Sequence, residues 1–348
     1  MIAKETKSQK LIRYTEMLPE FCEAFLLETG TEKALSTRLS YAQELNCFFD
    51  FLINFCPEFC ESNKNDFSIK ELEQVTSQQI SKYISLYQDS HAERTVARKR
   101  AALSSFFSYM VNNNRLKFNP VLAASRVKIH QTDEVLHLNI EEQVHFINAI
   151  ESGEGLDVKK LTYHDRYKTR DVALIMLLLD TGIRVSELHG IDVEDIDFES
   201  ASVLVTRKGG NHQTIYFSDE TSGYLLNYLD ERKADEAKSI LTGPFFVTKQ
   251  GARLSIRAIQ VLVKKYSTAS LPGKGSLMTP HKMRSSFAME YYDSTKDILA
   301  LQRKLGHKNL QTTNIYAKAT EKKMAETRSI LSQKRKNSTN LVPKYQSK

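Results

Sequence analysis

Apolar side chains recur at the three- and four-residue spacing of a helix along most of this chain. The strongest examples are 34–55 and about 94–113 in the first third, and the apolar run 172–179, which Gly182 ends. Helical spacing returns later in the chain, at 221–238, 255–268, 283–292, 296–304 and 309–331. The pattern predicts a mainly α protein.

The helical spacing is interrupted at 195–217, where polar and apolar residues alternate. Three segments show this strand-like pattern, namely 195–198, 202–206 and 213–217. Gly209-Gly210-Asn211 supplies a turn between the last two, which predicts a hairpin. We therefore expect one small three-stranded antiparallel sheet within the helical C-terminal part.

The length of 348 residues suggests two domains. A stretch without a clear period follows Pro120, and a new helix begins at Asn139, whose capping partner is expected to be Glu142. The predicted order is a helical domain, a linker, a second domain and a tail, with bounds at 1–125, 126–137, 138–320 and 321–348.

The composition predicts a cytoplasmic protein that does not enter a membrane. No apolar run is long enough for a transmembrane helix, and the first residues lack the apolar core of a secretory signal. The four cysteines form no C-x-x-C pair and have no histidines at zinc spacing, so they are expected to be reduced thiols.

The net charge of +7 does not by itself indicate DNA binding, because the excess lies in the tail. Residues 318–348 hold nine basic and two acidic side chains, whereas the two preceding domains are balanced. Basic residues on one face could still bind phosphates, and at the start of the helix near 94 we favour this role over an ordinary solvated face. The candidates are Arg38, Arg94, Arg98 and Lys99.

Four short stretches supply residues that suit phosphodiester chemistry. They are T-G-I-R-V-S-E-L at 181–188, H-K-M-R at 281–284, L-G-H at 305–307 and T-T-N-I-Y at 312–316. Arg184 and Arg284 could grip a phosphate with forked hydrogen bonds. His281 and His307 could donate a hydrogen bond or move a proton, and Tyr316 could form a covalent phosphoryl intermediate.

Two further residues could support this chemistry. Glu187 follows Arg184 by three positions, so it could hold the guanidinium in place. Lys208 stands beside Gly209-Gly210, on a turn from which a lysine could deliver a proton. No carboxylate cluster or histidine pair suits a metal, so neither a metal nor another cofactor is expected.

Each of these signals is weak alone. The Arg184–Glu187 spacing is also that of a surface ion pair, and His281 with Arg284 is a pattern of low specificity. Lys208 could serve solubility, and a single helical tyrosine such as Tyr316 is usually a core residue.

In combination and in order, however, the motifs resemble those of the tyrosine recombinases, also called the phage integrase family. The stretch at 181–188 is similar to the first arginine box of the family, H-K-M-R-S-S-F-A to the second, and L-G-H-K-N-L-Q-T-T-N-I-Y to its histidine-tyrosine box. The segments around 36–52 and 94–110 resemble its helical core-binding domain. The resemblance covers about 31–320 and is nearest to the single-protein XerH type, although Ser285 stands where many relatives have a histidine.

The resemblance implies a site-specific DNA recombinase with defined roles. Tyr316 would form a 3′-phosphotyrosyl link, Arg184 and Arg284 would clamp the phosphate, and Lys208 would protonate the leaving 5′-oxygen. His307 would add a hydrogen bond and His281 would support proton movement. The family works without a metal, as a homotetramer on two double-stranded DNA sites, and Xer types resolve chromosome dimers, with the translocase FtsK as an activator.

Three other functions remain open at this point. An integrase or resolvase of a mobile element would share all six residues, and a type IB topoisomerase would share the arginine, lysine, histidine and tyrosine roles. A DNA-binding protein without catalysis would need none of them.

The tail carries Met324, Ile330 and Leu331 on one helical face, which we expect to dock on a neighbouring protomer rather than on its own domain.

Overall fold

The computed structural model describes residues 5–29, 34–125, 127, 135–207, 209–234, 242–307 and 309–321. The chain divides into two compact units, Met1–Gln131 and Thr132–Lys348. Most of the predicted linker at 126–137 and nearly all of the predicted tail lie outside the described residues. In the described part, no helix combines the length and the apolar character that crossing a membrane requires.

The described part of the first unit is helical. Its helices are α1 (Lys7–Glu16), α2 (Glu20–Glu28), α3 (Leu35–Phe55), α4 (Ile69–Glu73), α5 (Ser77–Gln88), α6 (Glu93–Asn112) and α7 (Pro120–Ala123). The predicted helices at 34–55 and 94–113 are therefore present as α3 and α6.

Aromatic side chains hold this first unit together. Phe48 and Phe49 from α3 and Phe106 and Phe107 from α6 are fully buried. Phe48 meets Phe107 edge to face with ring centroids 6.1 Å apart, a geometry worth about 1 kcal/mol beyond the area it buries. Packing between α3 and α6 thus defines the core of this unit.

The second unit contains the sheet and the remaining helices. The helices are α8 (Ile140–Ser152), α9 (Val158–Thr181), α10 (Val185–Gly190), α11 (Asp219–Ala234), α12 (Ile256–Ser270), α13 (Pro280–Thr295), α14 (Ile298–Leu305) and α15 (311–321). The strands are β1 (Ile196–Asp197), β2 (Ser202–Thr206) and β3 (His212–Tyr216). The prediction of a mainly α fold with a small three-stranded antiparallel sheet is confirmed.

Strand order in the sheet is β1-β2-β3, with Val203 opposite Ile215 and Thr206 opposite His212. Gly209 and Gly210 both have positive φ, at 102° and 84°, which the tight turn after β2 requires and a larger residue would resist. This turn includes position 208, which lies outside the described residues.

Helix α9 differs from its prediction, because it runs for 24 residues rather than covering only the apolar run at 172–179. Asp157 caps its start by accepting a hydrogen bond from the Lys160 N–H, so the polar residues before 172 continue the same helix. Gly182 ends it in the left-handed conformation. A Cβ at Gly182 would lie 2.3 Å from Phe287 Cδ1, so only glycine fits there.

Candidate active site

Arg184 lies two residues after Gly182, at the N-cap of the short helix α10. Its backbone N–H donates to Glu187 Oε2 and its Nη1 donates to Glu187 Oε1, both over 2.8 Å. Burial would raise the pKa of Glu187, but the hydrogen bonds from Arg184 and a second arginine outweigh it and lower the pKa. Glu187 is therefore a buried carboxylate ion that fixes the Arg184 guanidinium, whose side chain stays 34% exposed.

The second arginine is Arg207, which none of the four sequence motifs contains. Its Nη1 donates to Glu187 Oε2 over 2.8 Å, and its Nε donates to Gln213 Oε1 over 2.9 Å. Its Nη2 donates to the Lys304 carbonyl over 2.8 Å. Arg207 is thus part of the same charged cluster as the predicted pair.

Arg284 lies in the first turns of α13 and is 2% exposed. Its Nη1 donates to the Gly182 carbonyl over 2.6 Å, and its Nη2 donates to the Leu305 carbonyl. Burial and the nearby positive charge of Arg184 lower its pKa to about 10, so the guanidinium stays charged at neutral pH.

The three guanidinium groups meet at the C-terminal end of α14. Arg207 and Arg284 donate to the Lys304 and Leu305 carbonyls, and Arg184 Nη2 lies 3.4 Å from the carbonyl of Gly306, the left-handed cap. The last carbonyls of a helix have no partner within it and carry partial negative charge, so cations are favoured there. The folded protein therefore holds three guanidinium charges close together, with Glu187 as the carboxylate that pairs with two of them.

Burial and the positive charge of these arginines lower the pKa of both predicted histidines. Burial lowers the pKa of His307 to about 4, and the charges of Arg284 and Arg184 add to that effect. Its Nδ1 lies 2.9 Å from the hydroxyl of the buried Thr313. Partial loss of hydration and the charge of Arg284 also lower the pKa of His281, which is exposed at the start of α13. Both rings are neutral at pH 7.

Tyr316 lies on α15 and is 2% exposed. It packs in a small apolar cluster that includes Phe287, Leu301 and Leu305. Burial raises its pKa, although a hydrogen bond with the Ser285 side chain and the charge of Arg284 act in the opposite direction. The phenol is therefore protonated at neutral pH and is covered in this conformation. Ser285 occupies the position where the sequence analysis expected a histidine in relatives.

The described structure thus brings Arg184, Glu187, Arg284, His307 and Tyr316 together around one helix end, with His281 within electrostatic reach. Their order and setting can be compared with known proteins. The model of the phage integrase family matches residues 154–323. The tyrosine recombinase XerC of Haemophilus influenzae is 32% identical over 235 residues, which are 67% of this chain and 73% of that protein. This chain belongs to the tyrosine recombinase family.

Two further comparisons cover nearly the whole recombinase. The tyrosine recombinase XerC of Caldanaerobacter subterraneus subsp. tengcongensis is 29% identical over 334 residues, 93% of this chain and 88% of that protein. The post-cleavage complex of the XerH recombinase with a palindromic difH substrate superimposes with a TM-score of 0.61 at 20% identity, over 95% of this chain and 98% of that one. The chain is therefore a site-specific DNA recombinase of the Xer type, and the mobile-element and non-catalytic alternatives are not favoured.

Other predicted residues of the recombinase stand as follows. Lys208 lies outside the described residues. Lys99 forms an ion pair with Glu44 over 2.8 Å and lies over the Tyr87 ring, so its charge is already matched inside the first unit. Arg38 Nε donates to the Leu26 carbonyl over 2.8 Å. The exposed pair of Arg94 and Arg98, one turn apart on α6, fits a phosphate-facing role best, which stays a prediction.

The described residues contain no group of three or more histidine, cysteine or acidic side chains arranged to hold a metal ion. The four cysteines are free thiols, Cys22 and Cys56 buried and Cys47 and Cys60 exposed. The expectation of a reaction without metal stays a prediction that chelation can test.

Proposed function

We propose that Tyr316 is the nucleophile of this recombinase and that Arg184, Arg284 and His307 hold the scissile phosphate. The meeting of these residues at the C-terminal end of α14 is the observation that supports the proposal. Guanidinium groups and a neutral imidazole can donate hydrogen bonds to the non-bridging oxygens, where negative charge increases in the transition state.

The reaction would conserve the phosphodiester bond energy. The Tyr316 oxygen forms a bond to phosphorus, the bond from phosphorus to the 5′-oxygen breaks, and a 3′-phosphotyrosyl link results. The phenol proton leaves with help from His281, and the Lys208 ammonium gives a proton to the leaving 5′-oxygen. Attack by the 5′-hydroxyl of another strand reverses these steps and releases Tyr316.

The conformation of Tyr316 sets a condition on this reaction. Because the phenol is 2% exposed and its pKa is raised by burial, DNA cannot reach it while α15 stays in this position. We infer that α15 moves when DNA binds and that a phosphate beside Arg284 completes the site. Cleavage is then tied to assembly on DNA.

The partners follow from the Xer type. We propose that the protein acts in the cytoplasm on a double-stranded recombination site, that four copies assemble on two sites, and that it resolves chromosome dimers. FtsK is the proposed activator. The solved XerH relative was captured on its difH substrate after cleavage, which supports a DNA partner for this chain.

The tail at 321–348 is proposed to link protomers. Its sequence places Met324, Ile330 and Leu331 on one helical face, directly after the helix that carries Tyr316. Truncation after Thr320 should abolish synapsis of two sites and preserve binding to one site. Normal synapsis by the truncated protein would refute this role.

Covalent capture in cells tests the proposed function. Cells that produce the wild-type protein or Tyr316→Phe are lysed in denaturant with EDTA, the protein is recovered, and the linked DNA ends are sequenced. We expect wild-type protein to return 3′-linked ends at one chromosomal site, and Tyr316→Phe to return none above background. Equal recovery from both proteins would reject Tyr316 as the nucleophile.

A further inference from the structure

The turn that follows β2 is closed by the backbone of Arg207. Its N–H donates to the Asn211 carbonyl over 2.7 Å, and its carbonyl accepts from the Gly210 N–H over 3.0 Å. Both turn glycines have positive φ, and a Cβ added at either would meet nothing within 4 Å, so neither glycine lies against another part of the described protein. The described contacts that hold the turn are therefore those at its base.

The Arg207 side chain provides that anchor. Its nitrogens donate to Gln213 on β3 and to Glu187 in the first turn of α10. They also donate to the Lys304 and Leu305 carbonyls at the end of α14. The contacts come from three separate elements, and the side chain is only 9% exposed. One rigid fork thus joins the hairpin to both other parts of the site.

Arg207 and Arg184 share Glu187 but differ in what they leave available. The Arg184 side chain is 34% exposed and could still turn donors toward a phosphate. Arg207 has an acceptor within the protein for Nε and for each terminal nitrogen. With four hydrogen bonds inside the protein and a side chain that is 9% exposed, Arg207 suits the role of a residue that positions others.

We propose that Arg207 is a positioning residue: its side chain fixes the base of the turn after β2 to Glu187 and to the end of α14, and this supports the proton transfer proposed for its sequence neighbour Lys208. This inference rests on the proposed role of Lys208 as general acid. Arg207 is its immediate neighbour in sequence, and any shift of the anchor displaces the turn directly. A misplacement of about 1 Å can cost about 100-fold in rate.

The surroundings of Arg207 are specific to a guanidinium. A lysine has one nitrogen and cannot contact a carboxylate, an amide oxygen and two carbonyls at fixed angles. Gly306 leaves room for the fork, since a Cβ at that position would lie 3.1 Å from Arg207 Nε. Arg207→Lys should therefore behave more like Arg207→Ala than like wild-type protein.

Two nicked DNA substrates test the proposal, with the site taken from the covalent capture. They differ only in the bridging atom that leaves, which is oxygen in one and sulfur in the other. A thiolate leaves without a proton, so a defect in general acid catalysis disappears on the sulfur substrate. Single-turnover formation of the protein–DNA adduct is measured on both.

We expect Arg207→Ala and Arg207→Lys to be about 100-fold slower than wild type on the oxygen substrate and within about 10-fold of it on the sulfur substrate. On the oxygen substrate, Arg207→Ala combined with Lys208→Ala should be no slower than Lys208→Ala alone, because both changes remove one function. Equal defects of the single variant on both substrates would overturn the proposal, as would wild-type rates.

Arg232→Ala is the matched control. Arg232 is 3% exposed and donates to the Pro244 and Phe245 carbonyls, so its loss removes a buried anchor of similar kind elsewhere. Any rate loss should then be equal on both substrates. Should Arg207→Ala fail to fold, Gln213→Leu removes one contact of the fork, and we expect a smaller loss with the same preference for sulfur.

The controls also separate this inference from the proposed function. Absence of an adduct with wild-type protein on either substrate would refute the function itself. An adduct with wild-type protein, together with sulfur rescue of Lys208→Ala but not of Arg207→Ala, would refute only the positioning role of Arg207.

Discussion

Two carboxylates of the second unit are buried beside arginines, and they belong to different kinds of site. Asp171 Oδ1 accepts from Arg170 Nε and Nη2 over 3.0 and 2.7 Å, and its Oδ2 accepts from the Tyr266 hydroxyl over 2.9 Å. Glu187 accepts from Arg184 and Arg207 over similar distances. By burial and charge alone, the two clusters are alike.

They differ in what surrounds the arginines. Arg170 is enclosed, because its remaining Nη1 donates to the Val247 carbonyl over 3.0 Å and its plane lies over the Tyr167 ring. Arg184 is partly open to solvent, and its positive charge reaches His307. The functional cluster therefore differs from the structural one because it has hydrogen-bond donors that a substrate can reach. Burial of charge alone does not distinguish them.

The largest expected contrast is between Arg184→Ala and Arg170→Ala. Arg184→Ala should slow covalent cleavage about 100- to 1,000-fold with a smaller loss of stability, because it removes donors to the transition state from a partly exposed position and Glu187 keeps Arg207 as a partner. Arg170→Ala should lower the free energy of unfolding by about 3–5 kcal/mol, because it leaves Asp171 buried without its main partner. Cleavage rates and urea unfolding measure the two effects.

Cleavage by both variants is measured at a temperature at which Arg170→Ala is still folded, so that unfolding does not contribute to the measured rates. Normal cleavage by Arg184→Ala would contradict the division between the two clusters. So would a loss of cleavage by folded Arg170→Ala as large as that of Arg184→Ala.

Charge removal without a change of shape should sharpen the comparison. Asp171 also pairs with Lys265 over 3.6 Å, so Asp171→Asn and Glu187→Gln each leave two cations without their anion. Each substitution should cost about 1–3 kcal/mol of unfolding free energy. A DNA phosphate can replace the anion only at the open cluster. We therefore expect DNA to restore more stability to Glu187→Gln than to Asp171→Asn.

Thermal unfolding with and without a DNA duplex measures this difference. The matched pair tests the exposure argument alone, because both substitutions replace a carboxylate by its amide. The same stabilisation of both variants by DNA would show that the clusters do not differ in access.

The histidines of the two clusters give the smallest effect. His164 belongs to the Asp171 cluster, because its Nδ1 lies 3.0 Å from the Tyr266 hydroxyl. Burial lowers the pKa of His164 as well as that of His307. Below about pH 6.5, and down to about pH 4 at His307, the unfolded chain binds a proton that the folded protein does not bind, so stability rises with pH across that window. Both His164→Asn and His307→Asn should weaken this dependence.

Only His307 should respond to DNA, because a nearby phosphate favours the charged imidazole and raises its pKa. Calorimetric titrations at pH 5.5, in buffers with different ionisation enthalpies, measure the protons taken up on binding. We expect His307→Asn to take up fewer protons than wild type and His164→Asn to match it. Unchanged uptake by His307→Asn would contradict the proposed phosphate contact.

Local signals in the sequence predicted much of this molecule. Apolar spacing predicted α3 and α6, the Asn139–Glu142 pair predicted the capped start of α8, and the glycine turn predicted the hairpin. These features depend on residues a few positions apart. The candidate site residues were predicted in the same way, because each stands in or beside a short motif.

Contacts between distant segments could not be predicted. In the sequence, Arg207 is indistinguishable from an ordinary basic residue, because its partners Glu187 and Lys304 lie 20 and 97 positions away. Lys99 was expected to face phosphates, but Glu44, 55 positions away, already pairs with it. The burial of Tyr316 is likewise a property of packing that its motif does not contain.

The covalent link itself provides the most direct test of the central claim that the open cluster serves Tyr316. Wild-type protein is trapped on a nicked substrate in EDTA and digested, and the peptide attached to DNA is sequenced by mass spectrometry. Tyr291 and Tyr292 pack against the same apolar cluster and provide internal alternatives. We predict that the nucleotide is attached to Tyr316 alone; attachment to Tyr291, Tyr292 or any other residue would contradict this account.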